Sequence, residues 1–158
     1  MKRLAEEAGD ALAVPLGLPG RAWTRGVPLP GGDLKAWIGR EQRPDTDFVR
    51  FVQALSLRHP DVPGALLHRL ARAYGARIER LFAQGGLGPE VVPGLHEAEL
   101  AYLHDEEWAR SAEDVLWRRS KLGLHLSPAQ RETVAAWCAA RWTSAAPATG
   151  RGQEATWN

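Results

Sequence analysis

Between Gly94 and Leu124 the chain gathers carboxylates, histidines and cations into one stretch: His96, Glu97, Glu99, His104, Asp105, Glu106 and Glu107, then Asp114, then Trp117, Arg118, Arg119, Ser120 and Lys121. Metal ligation is the first chemistry to test. A zinc-binding helix places two histidines four residues apart, so that both project from one face with a glutamate between them. Here the fourth residue after His96 is Leu100. His96 and His104 lie eight positions apart, about 12 Å along a helix at 1.5 Å per residue, too far to share an ion. A solvated acidic face, with Glu97 and Glu99 turned outward, fits the spacing better.

Other chemistries fail on context. A nucleophilic serine needs a histidine and an orienting carboxylate beside it. Ser120 has Lys121 next to it and His125 nearby, but no Gly-x-Ser-x-Gly elbow surrounds it. Ser111 and Ser127 are accounted for as helix caps. A flavin or nicotinamide enzyme needs a glycine-rich turn between a strand and a helix. Gly85-Gly86-Leu87-Gly88 follows a helical pattern instead, and Pro89 removes a donor that a phosphate would use. Pro30-Gly31-Gly32 has the same defect, so no FAD site is expected in this chain.

The Trp117-Arg118-Arg119-Ser120-Lys121 turn has two readings. Capped helices at 112–122 and 128–142 could form a helix-turn-helix whose cations meet phosphates. Yet the cations close the first helix rather than line the second, and the formal net charge of +1 gives no general attraction to nucleic acid. The simpler expectation is that Arg118 and Arg119 pair with carboxylates of the preceding helix, drawn from Glu97, Glu99, Glu106 and Glu107. Trp108 and Trp117 are then core anchors.

The elements that must position these groups are helical. Asp45-Thr46-Asp47 leads into Phe48, Phe51, Val52 and Leu55 on one face, ending before Pro60. Pro63 opens a second helix with Leu66, Leu67, Leu70 and Ala71, closed at Tyr74-Gly75. A third runs from Arg77 to about Phe82 and a fourth from Leu95 to about Glu106. The fifth, 112–122, has Ser111 as its cap and Glu113 and Asp114 at the positive end of its dipole. Val115, Leu116 and Leu122 form its apolar side, Arg118, Arg119 and Lys121 stand near its carbonyl end, and Gly123 is expected to stop it in the left-handed conformation. Ser127-Pro128-Ala129-Gln130 has the pattern of a capping box, opening a sixth helix with Val134, Trp137, Cys138 and Trp142 inward.

At the N-terminus, residues 3–12 read as a short amphipathic helix. Pro15, Pro19, Pro28 and Pro30 then break any continuous helix through the segment up to Gly32, and Asp33 can cap the residues immediately after it. No strand of convincing alternation is found. The expected fold is all-α, a compact bundle of five to six helices after an extended Pro/Gly-rich connector. The 158 residues suit one domain and are too few for a flavin domain as well. Cys138 is the only cysteine, which excludes an internal disulfide and fits a semi-buried thiol. No apolar run reaches the length of a membrane span.

Glu97-Ala98-Glu99-Leu100, Tyr102-Leu103, Glu107-Trp108-Ala109 and, above all, Glu113-Asp114-Val115-Leu116-Trp117-Arg118-Arg119-Ser120-Lys121-Leu122-Gly123 resemble the C-terminal domain of the FAD-dependent, respiratory glycerol-3-phosphate dehydrogenase. Ala22-Trp23-Thr24 and Leu29-Pro30-Gly31-Gly32-Asp33 are similar to the family's linker, and Leu70-Ala71-Arg72-Ala73-Tyr74-Gly75 to its next helix end. The resemblance covers roughly residues 3 to 142. It implies that residues 1–13 match the last flavin-domain helix, 14–44 an extended linker and 45–142 the helical C-terminal domain; residues 143–158, with almost no apolar content, are expected to be a disordered tail. It further implies a parent enzyme that oxidises sn-glycerol 3-phosphate to dihydroxyacetone phosphate, with FAD as cofactor and quinone as acceptor, at the cytoplasmic face of the membrane. No catalytic, cofactor or metal residue carries over to this chain. The implied role is structural: packing on the flavin domain, with room for a homo-oligomer and without nucleic acid. The residues that carry the resemblance are Pro30, Gly31, Gly32, Glu97, Glu99, Glu107, Trp108, Asp114, Trp117, Arg118, Arg119, Lys121 and Gly123. The competing expectation is a free-standing helical module that binds a partner or nucleic acid.

Overall fold

The computed structural model describes residues 2–17 and 26–142. Seven α-helices and one small hairpin make up most of the described regular structure, and the architecture is mostly α as the periodicity predicts: α1 Lys2–Leu16, α2 Lys35–Ile38, α3 Pro44–Arg58, α4 Gly64–Tyr74, α5 Ile78–Phe82, β1 Glu90–Val92, β2 Leu95–His96, α6 Glu97–Asp105 and α7 Pro128–Arg141. A π-helical turn, Asp114–Arg119, and a 3-10 turn, Leu122–Leu124, lie between α6 and α7. The expected disordered tail, 143–158, lies outside the described residues. The chain forms two compact units, residues 1–79 and 80–158.

In the first unit, α3 packs on α4 and α2 packs on α3. Phe51 and Leu55 of α3 and Leu67, Leu70, Ala71 and Tyr74 of α4 are buried. All but Tyr74 lie on the apolar faces expected from the sequence, while Phe48, Val52 and Leu66 of those faces are only half-buried. Each large side chain so buried contributes about 1.5–3 kcal/mol. The connector is not extended throughout, because Lys35–Ile38 forms a helix whose Ile38 is buried. Asp33 Oδ1 accepts the Lys35 backbone N–H at 3.2 Å, but the cap position of this helix is held by Leu34 and not by Asp33. Asp47, also buried, ties the loop before α3 by accepting Gln42 N at 2.8 Å and Arg50 Nη1 at 3.2 Å. Helix α1 runs past the expected end at residue 12 and takes in Pro15. Pro15 has no N–H to give to the carbonyl four residues back, and the helix ends one residue after it, at Leu16, with Gly17 following at φ +61°.

In the second unit, Leu81, Leu95, Leu100, Leu103, Ala109, Val115 and Val134 are almost fully buried. The hairpin was not anticipated. Val92-Pro93-Gly94-Leu95 supplies a proline followed by a glycine at φ +77°, the signature of a type II turn, and pairs Glu90 with His96 and Val92 with Leu95. The strands are too short for alternation to register. Helix α7 packs on β1. Its N-terminus bears the anticipated capping box: Gln130 N donates to Ser127 Oγ at 3.3 Å, and Ser127 N donates to Gln130 Oε1 at 2.8 Å.

Candidate functional site: the 94–124 segment

Ser111 and Asp114 cap each other. Asp114 N donates to Ser111 Oγ at 3.2 Å, while Asp114 Oδ2 accepts the Ser111 backbone N–H at 3.1 Å and the Arg110 backbone N–H at 3.0 Å. Arg118 Nη1 reaches Asp114 Oδ1 at 2.8 Å from one turn further on. The Arg110 amide, with Arg118 and Ser111 behind it, holds the Asp114 carboxyl down at about 2 against a smaller opposing cost of burial. The helix thus begins where the sequence placed it.

Its course differs from the expected regular helix. Ser120 N donates to Val115 O at 3.0 Å, a bond across five residues, and Ser120 Oγ donates to the same carbonyl at 2.5 Å. Double use of that carbonyl closes the wide turn over Asp114–Arg119. Gly123 does not stop a helix in the left-handed conformation, since it is absent from the described positive-φ glycines. A Cβ there would stand 2.6 Å from Cζ2 of Trp117, so this buried glycine makes room for the indole ring.

The arginines do not lock onto glutamates of α6 as expected. Arg118 pairs within its own turn, and Arg119 Nε donates to the backbone carbonyl of Glu107 at 2.5 Å. Lys121 Nζ folds back onto Trp117 O. Two of the carboxylates that were to receive the arginines are engaged elsewhere. Glu106 pairs with Arg80, and Glu97 Oε1 accepts both Trp137 Nε1 and Arg141 Nη2, each at 2.9 Å, joining α6 to α7. Glu99 is not outward but buried. No buried side-chain nitrogen or oxygen among the described residues lacks a partner.

Trp108 corrects a second expectation. It is 73% exposed rather than a core anchor, and its φ of +58° makes it the one described non-glycine residue in the left-handed region. Its neighbours hold it there: Ala109 is fully buried with its N–H on Leu103 O at 2.9 Å, and Arg119 holds the Glu107 carbonyl. Such a conformation costs a bulky residue about 1–2 kcal/mol.

Between the π-helical turn and α7 lies an open cleft of about 640 Å³, floored by Leu116, Ala135, Cys138 and Ala139, walled by Trp117 and Trp142, and rimmed by Arg110, Glu113, Arg131 and Glu132. Burial pushes the Cys138 thiol up to about 11, so it remains protonated at neutral pH and is a poor nucleophile. No group of three or more His, Cys, Asp or Glu among the described residues is arranged to hold a metal ion.

The glycine-rich turns do not fit a flavin pyrophosphate. Gly85, Gly86 and Gly88 all hold positive φ, but they lead from α5 into β1. The first amides of α6 that face this turn are taken, Glu97 N by Pro89 O and Ala98 N by Leu87 O, both at 3.0 Å. In the first unit, Leu29-Pro30-Gly31-Gly32 is a turn closed by Gly32 N on Leu29 O at 2.7 Å, with Gly31 at φ +81°. It meets the end of α4, where Ala76 N donates to Gly31 O at 2.9 Å. The two resembling segments, around Gly31 and around Gly75, are therefore one packed contact.

Sequence reasoning missed the surroundings of His104, which touches Asp105, Arg110 and Trp142. Arg110 lies in a loop, beyond the reach of helical periodicity.

Residues 22–141 match the family described as the C-terminal domain of alpha-glycerophosphate oxidase. The chain is 38% identical over 122 residues to D-erythritol 1-phosphate dehydrogenase of Brucella abortus (strain 2308), covering 75% of this chain and 22% of that protein. It is 40% identical over 134 residues to glycerol-3-phosphate dehydrogenase of Pseudomonas aeruginosa, covering 82% and 24% respectively. With aerobic glycerol-3-phosphate dehydrogenase of Escherichia coli (strain K12) the identity is 36% over 140 residues, 86% of this chain and 26% of that protein. The chain thus spans about a quarter of the length of these relatives.

Proposed function

The chain belongs to the family of the alpha-glycerophosphate oxidase C-terminal domain, and from that premise we propose that it serves as the helical structural domain of an FAD-dependent polyol-phosphate dehydrogenase. The parent reaction is oxidation of sn-glycerol 3-phosphate to dihydroxyacetone phosphate, with hydride passing to FAD and electrons onward to quinone. The relatives' names include both glycerol 3-phosphate and D-erythritol 1-phosphate, so the substrate class is a phosphorylated polyol. In this reading the chain supplies neither flavin contacts nor the hydride path, and its partner is the flavin-bearing part of the enzyme.

One observation supports this above the others: the polar signature is spent on internal contacts. Asp114 caps and pairs with Arg118, Arg119 holds the Glu107 carbonyl, and Glu97 joins α6 to α7. A catalytic constellation would instead aim such groups at a shared point. The arginines are likewise tethered at the end of a turn rather than displayed along a recognition helix, so the nucleic-acid reading gains no support. Among the described residues no helix is long and apolar enough to cross a membrane. Membrane association, at the cytoplasmic face, then comes through the parent enzyme.

The test is direct. Purified chain mixed with FAD and passed through a desalting column is expected to retain no flavin absorbance, and to give no glycerol 3-phosphate-dependent reduction of a quinone-analogue dye. Retained flavin with turnover would overturn the proposal.

A further inference from the structure

The strain at Trp108 is not returned inside the chain. Glycine or asparagine would hold its φ of +58° with less strain. Burial does not repay the indole, which is 73% exposed, and among the described residues its N–H meets no acceptor and its ring no second ring or cation. Other large apolar side chains on the surface, such as Leu57 and Leu124, carry no such backbone strain.

The loop is nevertheless built to keep Trp108 where it is. On one side Arg119 Nε donates to the carbonyl of the peptide that joins Glu107 to Trp108, at 2.5 Å. On the other, fully buried Ala109 donates its N–H to Leu103 O at 2.9 Å. Arg119 is itself exposed and uses only Nε in this contact, so its two Nη groups have no partner among the described residues. Strained conformations that their surroundings over-determine cluster at ligand clamps and switch regions. Tryptophan and arginine are also the residue types that most often carry the binding energy of an interface.

The segment matched in the relatives is 22% to 26% of each, so in those proteins a domain of this kind has most of an enzyme beside it. A second copy of this chain suits the face less well, because a twofold contact centred here would set Arg119 and the exposed Arg110 against their own copies. We propose that Trp108 and Arg119 form a preformed anchor that seats this domain on the flavin-bearing part of the parent enzyme, an inference that rests on the function proposed above. The indole enters an apolar pocket that ends in an acceptor for its N–H, and the Arg119 Nη groups meet a carboxylate or carbonyl at the pocket rim. Holding Trp108 in its docked geometry beforehand removes an ordering cost from the docking step.

The test grafts the full chain in place of the matching quarter of the Pseudomonas aeruginosa glycerol-3-phosphate dehydrogenase. Oxidation by N-bromosuccinimide is then followed by peptide mass spectrometry, since tryptic peptide 81–110 carries Trp108 alone and 111–118 carries Trp117 alone. Trp108 is expected to react about tenfold more slowly in the graft than in the isolated chain, while Trp117 keeps one rate in both. Trp108→Asn should raise the melting temperature of the isolated chain and lower that of the graft. A graft that holds no flavin and reduces no dye with glycerol 3-phosphate overturns the parent reading, and the anchor with it. A graft that holds flavin and turns over while Trp108 reacts as fast as in the isolated chain overturns the anchor alone. So does a Trp108→Asn variant that melts lower in the isolated chain as well, which marks a structural role, or an isolated chain that self-associates with Trp108 protected.

Discussion

Gly31 and Gly75 face each other backbone to backbone. A Cβ on Gly31 would collide with the Tyr74 carbonyl, and a Cβ on Gly75 would collide with the carbonyl of Gly31, which accepts the Ala76 N–H. Both residues also hold positive φ, +81° and +53°. The close approach cannot be kept by any residue with a Cβ without moving the connector off α4, and the positive φ adds strain for most of them.

The first prediction concerns that contact. Gly31→Ala and Gly75→Ala should each destabilise the chain by about 2–3 kcal/mol, adding backbone collision to left-handed strain. Gly39→Ala is the control: φ is +68° but nothing stands within 4 Å of its Cβ, so only about 1 kcal/mol is at stake. Urea unfolding of the three variants measures the difference, and equal costs would show that the contact contributes nothing.

Gly123 and Trp117 should be coupled. Gly123→Ala overpacks the indole and is expected to cost about 1–3 kcal/mol. In a Trp117→Leu background, where the ring is gone, the same substitution should cost at least about 1 kcal/mol less. Additive effects in a double-mutant cycle would reject the reading of Gly123 as space for the ring.

Asp114 predicts an acid limb of stability. Its folded value, about 2, lies below the ordinary carboxylate value. The stabilisation it provides is therefore complete above about pH 4 and is lost as the pH falls through about 2. Asp114→Asn should flatten this part of the stability profile between pH 4 and pH 2, read from thermal unfolding across that range. Ser111→Ala, which removes the reciprocal cap, should cost about 1 kcal/mol at neutral pH.

Glu97 separates a hydrogen bond from an ion pair. Glu97→Gln keeps an acceptor for the Trp137 indole N–H and loses only the charge facing Arg141, whose side chain is half exposed; the change should stay below about 1 kcal/mol. Glu97→Ala leaves the part-buried indole N–H without its partner and should cost about 1–2 kcal/mol. Chemical denaturation that ranks Gln as costlier than Ala would contradict this assignment.

Trp108→Asn should stabilise the isolated chain, by about 0.5–1 kcal/mol, because asparagine tolerates the left-handed region and little packing is lost from a side chain that is 73% exposed. A lower melting temperature for this variant would mean that the indole makes contacts in solution beyond those described.

Much of the architecture was legible in local pattern. The apolar stripe of α4, the Ser127–Gln130 capping box, the Ser111 cap and the stop at Gly75 all come from spacing over one or two turns, where sequence and geometry are nearly the same information. The polar cluster was legible as a cluster but not in its pairings. Arg118, Arg119 and the glutamates carry complementary charge in many combinations, and charge alone does not choose among them. The hairpin escaped notice because its strands are too short for alternation, although Pro93-Gly94 was a turn signal in plain view.

By itself, then, the sequence determined the helical class, the caps, the family likeness and the absence of spacing suited to a metal or nucleophile, since each is written in neighbours along the chain. Only the tertiary structure decided that Glu99 is buried and Trp108 exposed, that Gly123 serves Trp117 rather than a helix end, and that Gly31 needs Gly75. Those outcomes depend on which atoms from distant positions compete for the same space, and close packing, unlike periodicity, is not a local property of the chain.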